Sequence, residues 1–361
     1  MNKNYYAIIM AGGIGSRFWP ISRTSHPKQF IDILGTGKTL IQQTYDRFLK
    51  ICPQENIYIV TNEIYSGLVK EQLQGIGDHQ ILTEPVMRNT APCVAYGCFK
   101  IESINPDAAI VVAPSDHLIL DEAAFVATIE KSLQAATAND CLITLGIKPS
   151  RPDTGYGYIQ YTDKTINNEF HKVKTFTEKP SLEIAKTFIQ SGDFLWNAGI
   201  FVWSAKAIVA AFGKYLPDMN DIFADARSVY NTDDEKAHIH TAYQQCTNIS
   251  IDYGIMEKAA NVYVLPSEFG WSDLGTWASI YQLAEKDYVG NAVIPSEKVI
   301  MYDSSNCMVN VPEGKLVVLQ GLHDFIVVES NNTLLICPRD QEQNVKQVVA
   351  DVKQKFGTKY I

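Results

Sequence analysis

The sequence predicts an α/β fold, a doubly wound and mostly parallel sheet joined to a small C-terminal β-rich domain. Three observations predict it. The apolar runs at 6–10, 57–60, 80–82 and 109–113 lack polar alternation, as expected of strands buried on both faces. Helical apolar spacing at 40–49, 64–74, 92–105 and 125–138 separates those runs, which gives the βαβ rhythm of a parallel sheet. After residue 286 the pattern becomes short strands at 299–302, 316–319, 325–328 and 333–336, with a closing helix at 341–356. The expected domains are therefore 1–285 and 286–361. Residues 141–285, with mixed strands such as 158–161 and 201–203, form a second lobe of the first domain. No long-period repeat is evident, and the β-rich appendix holds few clustered polar groups, so its expected work is packing or association.

Composition limits the function. The 361 residues are 46% hydrophobic and 20% charged, an ordinary globular balance, and the formal net charge is −9. That balance argues against a nucleic-acid or anionic-membrane coat, and there is no apolar stretch of membrane-spanning length and no signal peptide. Seven cysteines without a CxxC pair read as buried thiols in a reducing cytoplasm.

In a doubly wound sheet, ligands bind beyond the carboxyl ends of the strands. Two segments fall there. One is Gly12-Gly13-Ile14-Gly15-Ser16-Arg17, after the first strand; the other is Pro114-Ser115-Asp116-His117, after the strand at 109–113. The glycines allow a tight turn and close approach of backbone N–H groups to a polyphosphate, and Arg17 adds a planar fork for phosphate oxygens. The loop alone also fits a plain strand-to-helix turn. It departs from the dinucleotide pattern GxGxxG, and no Gly-Lys-Ser/Thr follows as in a Walker A loop.

The loop continues through Phe18-Trp19-Pro20-Ile21-Ser22-Arg23 and Pro27-Lys28-Gln29-Phe30. Further segments follow in order: Glu84-Pro85 with Arg88-Asn89-Thr90-Ala91-Pro92, then Pro114-Ser115-Asp116-His117 and Thr154-Gly155-Tyr156-Gly157-Tyr158-Ile159. After them come Phe176-Thr177-Glu178-Lys179-Pro180, Trp196-Asn197-Ala198-Gly199-Ile200-Phe201, Asp252-Tyr253-Gly254-Ile255-Met256-Glu257-Lys258 and Gly270-Trp271-Ser272-Asp273-Leu274-Gly275-Thr276-Trp277. This ordered set resembles the sugar nucleotidyltransferases. Trp-Pro and Pro-Lys-Gln-Phe resemble the mannose-1-phosphate guanylyltransferase branch in particular, in its short monofunctional form. Phe18 departs from the usual Leu, an apolar exchange expected to alter packing only.

The resemblance implies a Rossmann-like catalytic domain that transfers GMP from GTP to mannose 1-phosphate. It implies Arg17, Lys28, Asp116 and Asp273 as catalytic residues, with Asp116 and Asp273 as ligands of a Mg²⁺ cofactor. Gly12, Gly13, Gly15, Ser16, Arg17, Lys28, Arg88, Asn89, Thr90 and Ser115 would bind the nucleotide. Gly155, Tyr156, Glu178, Lys179 and Asn197 would bind the sugar phosphate. Taken singly, each of these side chains also fits a structural or solvated role; Asp252, Lys258 and His117 keep both readings open. A homodimer is expected, and isomerase activity is not, because the tail is too short for a cupin domain. The alternatives are transfer to another sugar phosphate or from another base, such as glucose 1-phosphate thymidylyl or uridylyl transfer, and a non-catalytic sugar-nucleotide sensor.

Overall fold

The computed structural model describes residues 1–294 and 298–361. Residues 295–297 of the expected 286–361 domain lie outside the described residues. Packing groups the chain into two units. The first holds Met1–Gly12, Thr44–Ser115 and Ile119–Trp271; the second holds Gly13–Gln43, Asp116–Leu118 and Ser272–Ile361.

The first unit is built on a nine-stranded sheet. Its strands are β1 Tyr5–Ala11, β2 Ile57–Asn62, β3 Ile81–Glu84, β4 Ala109–Pro114, β5 Leu142–Ile147, β6 Gly157–Ile166, β7 Phe170–Glu178, β8 Phe194–Ser204 and β9 Val262–Ser267. Their order is β3-β2-β1-β4-β8-β5-β9-β7-β6. The four strands at the β3 end run parallel, as their unbroken apolar runs predict. Antiparallel pairing enters with β8, which is antiparallel to both β4 and β5, and continues through β7 and β6. The sheet is thus parallel where the sequence alternates strand and helix, and mixed where long strands follow one another.

β1 and β4 are buried almost throughout because helices cover both faces. Helix Thr90–Ile104 presents a wholly buried stretch from Ala91 to Ile101. It joins Tyr6, Ile8, Val112, Phe212 and Phe223 in the largest apolar cluster. A buried ion pair crosses this core: Lys100 Nζ donates to both carboxylate oxygens of Glu235, at 2.6 and 2.7 Å, and Tyr96 Oη adds a third hydrogen bond at 2.6 Å. Burial of the ammonium requires this pairing. All seven cysteines are free, and no helix among the described residues is long and apolar enough to cross a membrane.

The second unit contains a β-solenoid. β10 Ala292–Ile294, β12 Met308–Asn310 and β14 Phe325–Ser330 stack in parallel, and β15 Thr333–Pro338 closes that stack antiparallel to β14. β11 Val299–Tyr302 and β13 Val317–Gln320 pair in parallel as a second wall. The repeat not evident in the sequence is this rung: Ala292 aligns with Met308 and Met308 with Ile326. It escapes notice because the coils share geometry without sharing residues. Alternation along these strands reflects two buried faces. Val309 and Val327 turn into the solenoid with Cys307 and Leu319. Met308, Ile326 and Val328 pack on Phe18, Ile33, Leu40, Leu274 and Trp277.

Candidate functional site

In the second unit, the glycine loop reaches a short helical turn at Ser16–Phe18. Gly15 has φ +70°, a region disfavoured for residues with a Cβ, and a Cβ built there would lie 2.5 Å from Cβ of Lys28. Gly13 has open space around it, so its lack of a side chain matters only to something approaching from outside the chain. The Lys28 amide donates to the Ile14 carbonyl at 3.2 Å, and the Ser22 hydroxyl holds the same carbonyl.

These contacts fix an almost fully buried lysine. Lys28 is 3% exposed, and its Nζ donates to Asp116 Oδ2 at 3.0 Å and to the Asp273 carbonyl at 2.7 Å. Burial pushes the Asp116 carboxyl up, but the Lys28 ammonium and His117 outweigh it and hold the group below the usual carboxylate range. Asp273 Oδ1 accepts the Gly275 amide at 2.9 Å, and Leu274 between them has φ +45°. Backbone strain of this kind concentrates at functional turns. Three of the four expected catalytic residues, Lys28, Asp116 and Asp273, thus come together. Arg17 stands in the Ser16–Phe18 turn, with Nε donating to Gln343 Oε1 at 3.0 Å. Phe18 meets Trp277 edge-on at 5.2 Å, so the larger ring fills core space.

Two carboxylates from a turn and a strand end supply hard oxygen donors of the kind Mg²⁺ takes when phosphates complete its shell. No group of three or more His, Cys, Asp or Glu among the described residues forms a closed metal cage.

The first unit carries the other expected residues. Gly12 follows β1, and a Cβ there would lie 3.7 Å from Glu84 Oε2. Glu84 is buried at 5% exposure, with Oε1 accepting the Tyr243 hydroxyl at 3.0 Å; burial raises its carboxyl to about 7 against that bond. Sequence pattern alone gives it no role in the site, although Glu84-Pro85 stands in a matching motif. Ser115 is 2% exposed, with its amide on the Met10 carbonyl at 3.0 Å. Asn89, at φ 68°, caps helix Thr90–Ile104 through its own side chain, and the Thr90 hydroxyl accepts the Ile251 amide at 2.9 Å. Both side chains are thus occupied in shaping that helix start. Arg88 Nε is buried without a hydrogen-bond partner among the described residues.

The sugar-phosphate candidates converge around β6, β7 and β8. The Lys179 amide donates to the Tyr156 carbonyl at 3.2 Å, and Lys179 Nζ lies 2.5 Å from Glu178 Oε1. Lys179 also takes φ +47°, another strained non-glycine residue, and projects with its side chain 63% exposed. Gly155 sits in a turn tied by its amide to Asp153 Oδ1 at 2.8 Å. Tyr156 packs edge-on against Trp196 and Trp271. Asn197 lies at a β-bulge between β5 and β8 and donates to Asp252 Oδ1 at 2.7 Å. Burial, then the Glu178 charge, raises Asp252 to about 6. Asp252 therefore belongs to this cluster, while Tyr253 beside it is exposed.

The nucleotidyl transferase profile matches residues 6–289. The chain belongs to the nucleotidyl transferase family. Within the family, the MannoseP isomerase/GMP-like beta-helix domain profile matches residues 297–352. AlgA, the alginate biosynthesis protein of Pseudomonas aeruginosa, is 37% identical over 96% of this chain and 71% of its own length. The mannose-1-phosphate guanylyltransferase of Escherichia coli K12 is 35% identical over 96% of this chain and 73% of its own. The crystal structure of a mannose-1-phosphate geranyltransferase from Thermus thermophilus superposes with a TM-score of 0.86 at 29% identity. It covers 97% of this chain and 99% of its own. The family's nucleotidyltransferase fold with a C-terminal β-helix is the fold described above.

Proposed function

We propose that this protein transfers GMP from GTP to α-D-mannose 1-phosphate and releases pyrophosphate. The observation that carries this reading is the buried Lys28 ammonium, clamped between Asp116 and the Asp273 main chain on the glycine loop. The similarity to the Escherichia coli mannose-1-phosphate guanylyltransferase supports the choice of substrates.

In the proposed reaction, a sugar-phosphate oxygen forms a bond to the α-phosphorus of GTP while the bond to the β-phosphate bridging oxygen breaks in line. Arg17 and Lys28 neutralise charge on the departing pyrophosphate, and positioning supplies most of the acceleration. Asp116 and Asp273 would hold Mg²⁺, which supplies further charge neutralisation on the phosphates. Gly12, Gly13, Gly15, Ser16, Arg88, Asn89, Thr90 and Ser115 are assigned to the nucleotide. Gly155, Tyr156, Glu178, Lys179 and Asn197 are assigned to mannose 1-phosphate, with Lys179 on its phosphate. Incubation with GTP, mannose 1-phosphate and Mg²⁺ should release pyrophosphate and form GDP-mannose. No release at any Mg²⁺ concentration overturns the reading, and a panel of other triphosphates and sugar phosphates tests its specificity.

The proposed setting is cytoplasmic, in keeping with seven free thiols. The catalytic and appended domains are proposed to divide near residue 285. We also assign a homodimer, for which the exposed apolar residues Ile300, Tyr302, Leu316 and Val318 around β11 and β13 offer a surface. Sedimentation at two concentrations tests it.

A further inference from the structure

The turn Arg339–Asn344 lies after the last solenoid strand and before helix Val345–Phe356. None of its residues belongs to a motif expected to carry chemistry. Yet two of them hold segments that do. Gln343 Oε1 accepts Nε of Arg17 at 3.0 Å across 326 residues of chain. Its neighbour Glu342 accepts the Ala278 amide through Oε2 at 2.9 Å. Ala278 lies in helix Trp277–Leu283, just after the Asp273-Leu274-Gly275 turn. The same stretch of chain is anchored nearby. Trp19 Nε1 donates to the Tyr360 carbonyl at 2.6 Å, and Arg23 Nη2 donates to the Ser330 carbonyl and Thr333 Oγ1, each at 2.9 Å.

We propose that Gln343 is a positioning residue: it fixes the Arg17 guanidinium so that its two Nη groups stay presented to the triphosphate, while Glu342 steadies the Asp273 turn. A half-buried arginine without a partner still samples several rotamers, and ordering it at the moment of binding costs affinity. A neutral amide acceptor on Nε orders the fork without cancelling its charge or occupying the Nη pair that phosphate oxygens engage. Gln343 thus touches no substrate and acts through Arg17.

The inference rests on the proposed guanylyl transfer, and steady-state kinetics on the full chain separate the two. Unaltered protein that fails to release pyrophosphate overturns the reading of function itself. With that activity established, Gln343→Ala should raise KM for GTP roughly ten- to a hundredfold, the range of a lost hydrogen bond to a charged group. Turnover should fall too, because Arg17 also neutralises the departing pyrophosphate, while the mannose 1-phosphate KM should hold and the melting temperature should not move. Gln343→Met, which keeps the length and removes the acceptor, should behave alike and stands in if the alanine variant fails to fold. Gln343→Glu restores an acceptor but sets a negative charge against the guanidinium and the triphosphate, so the GTP KM should stay raised. Gln347→Ala, on the following helix, should change nothing. An unchanged GTP KM in both acceptor-free variants overturns the proposal. So does a uniform loss in all three constants together with a lowered melting temperature, because that marks a structural role.

Discussion

Gly15→Ala perturbs one atom and should propagate to the buried lysine. The new Cβ lies 2.5 Å from Cβ of Lys28, whereas ordinary contact begins near 3.4 Å. The residue must also keep φ +70°, which costs about 1 kcal/mol for a side chain with a Cβ. Overpacking of a close-packed site adds roughly 1–3 kcal/mol. The total of roughly 2–4 kcal/mol corresponds to a fall in melting temperature of about 3–5 °C for a chain of 361 residues. Relief of the clash must move Lys28 by about 1 Å, a misplacement that costs on the order of 100-fold in rate when positioning carries catalysis. The check is paired thermal unfolding and pyrophosphate-release kinetics. Gly37→Ala is the control: at φ +83° with open space around it, it bears the conformational cost alone and should leave activity intact. If Gly15→Ala keeps kcat/KM within about threefold of the parent, Lys28 is not the pivot of the site.

Further outcomes test other parts of the site and core. Asp273→Ala should nearly abolish turnover with the fold retained, read by kinetics and circular dichroism; retained Mg²⁺-dependent activity would remove it from the metal site. Lys179→Ala should raise chiefly KM for mannose 1-phosphate, since an exposed ammonium beside Glu178 binds ground and transition states alike; a change confined to the GTP constant would contradict that role. Glu84 has its folded pKa raised from 4.5 to about 7, so it binds more protons folded than unfolded between those values. Its contribution is present below pH 4.5 and is lost as pH rises through 7, by up to about 3 kcal/mol. Glu84→Gln should therefore gain stability relative to the parent on going from about pH 5 to about pH 8, measured by urea unfolding at both. Glu235→Ala should cost about 3–5 kcal/mol by the same measurement, because Lys100, 2% exposed, keeps a buried charge without its partner.

The sequence made legible what depends on local pattern. Unbroken apolar runs announced the parallel strands β1, β2 and β4, and the helix at 90–104 announced itself by composition. The antiparallel insertion of β8 between β4 and β5 had no such signal, because pairing direction depends on long-range topology and leaves little trace in a single strand. Solenoid rungs were hidden for a related reason. Val309 and Val327 face inward while Met308 and Ile326 face the Phe18–Trp277 cluster, so a doubly buried sheet mimics simple alternation. At the site, motif residues were visible by type, and Lys28, Asp116 and Asp273 do meet. Glu84 stood in a motif without a role and Asp252 with both readings open, and their buried partners are Tyr243 and Asn197. Gln343 could not have been singled out, since its partner stands hundreds of residues earlier in the chain.

The threading of the second unit also bears on when the protein becomes complete during its synthesis. Arg17 and Phe18 leave the ribosome long before Trp277, Met308, Ile326 and Gln343, which pack on them or hold them. At translation rates of about 5–20 residues per second, the 326 residues between Arg17 and Gln343 take roughly 15–65 s. Until Trp277 emerges the nascent chain carries the glycine loop with none of these late partners, and Gln343 is the last of them to arrive. A truncated or stalled product would then lack the Gln343 contact to Arg17.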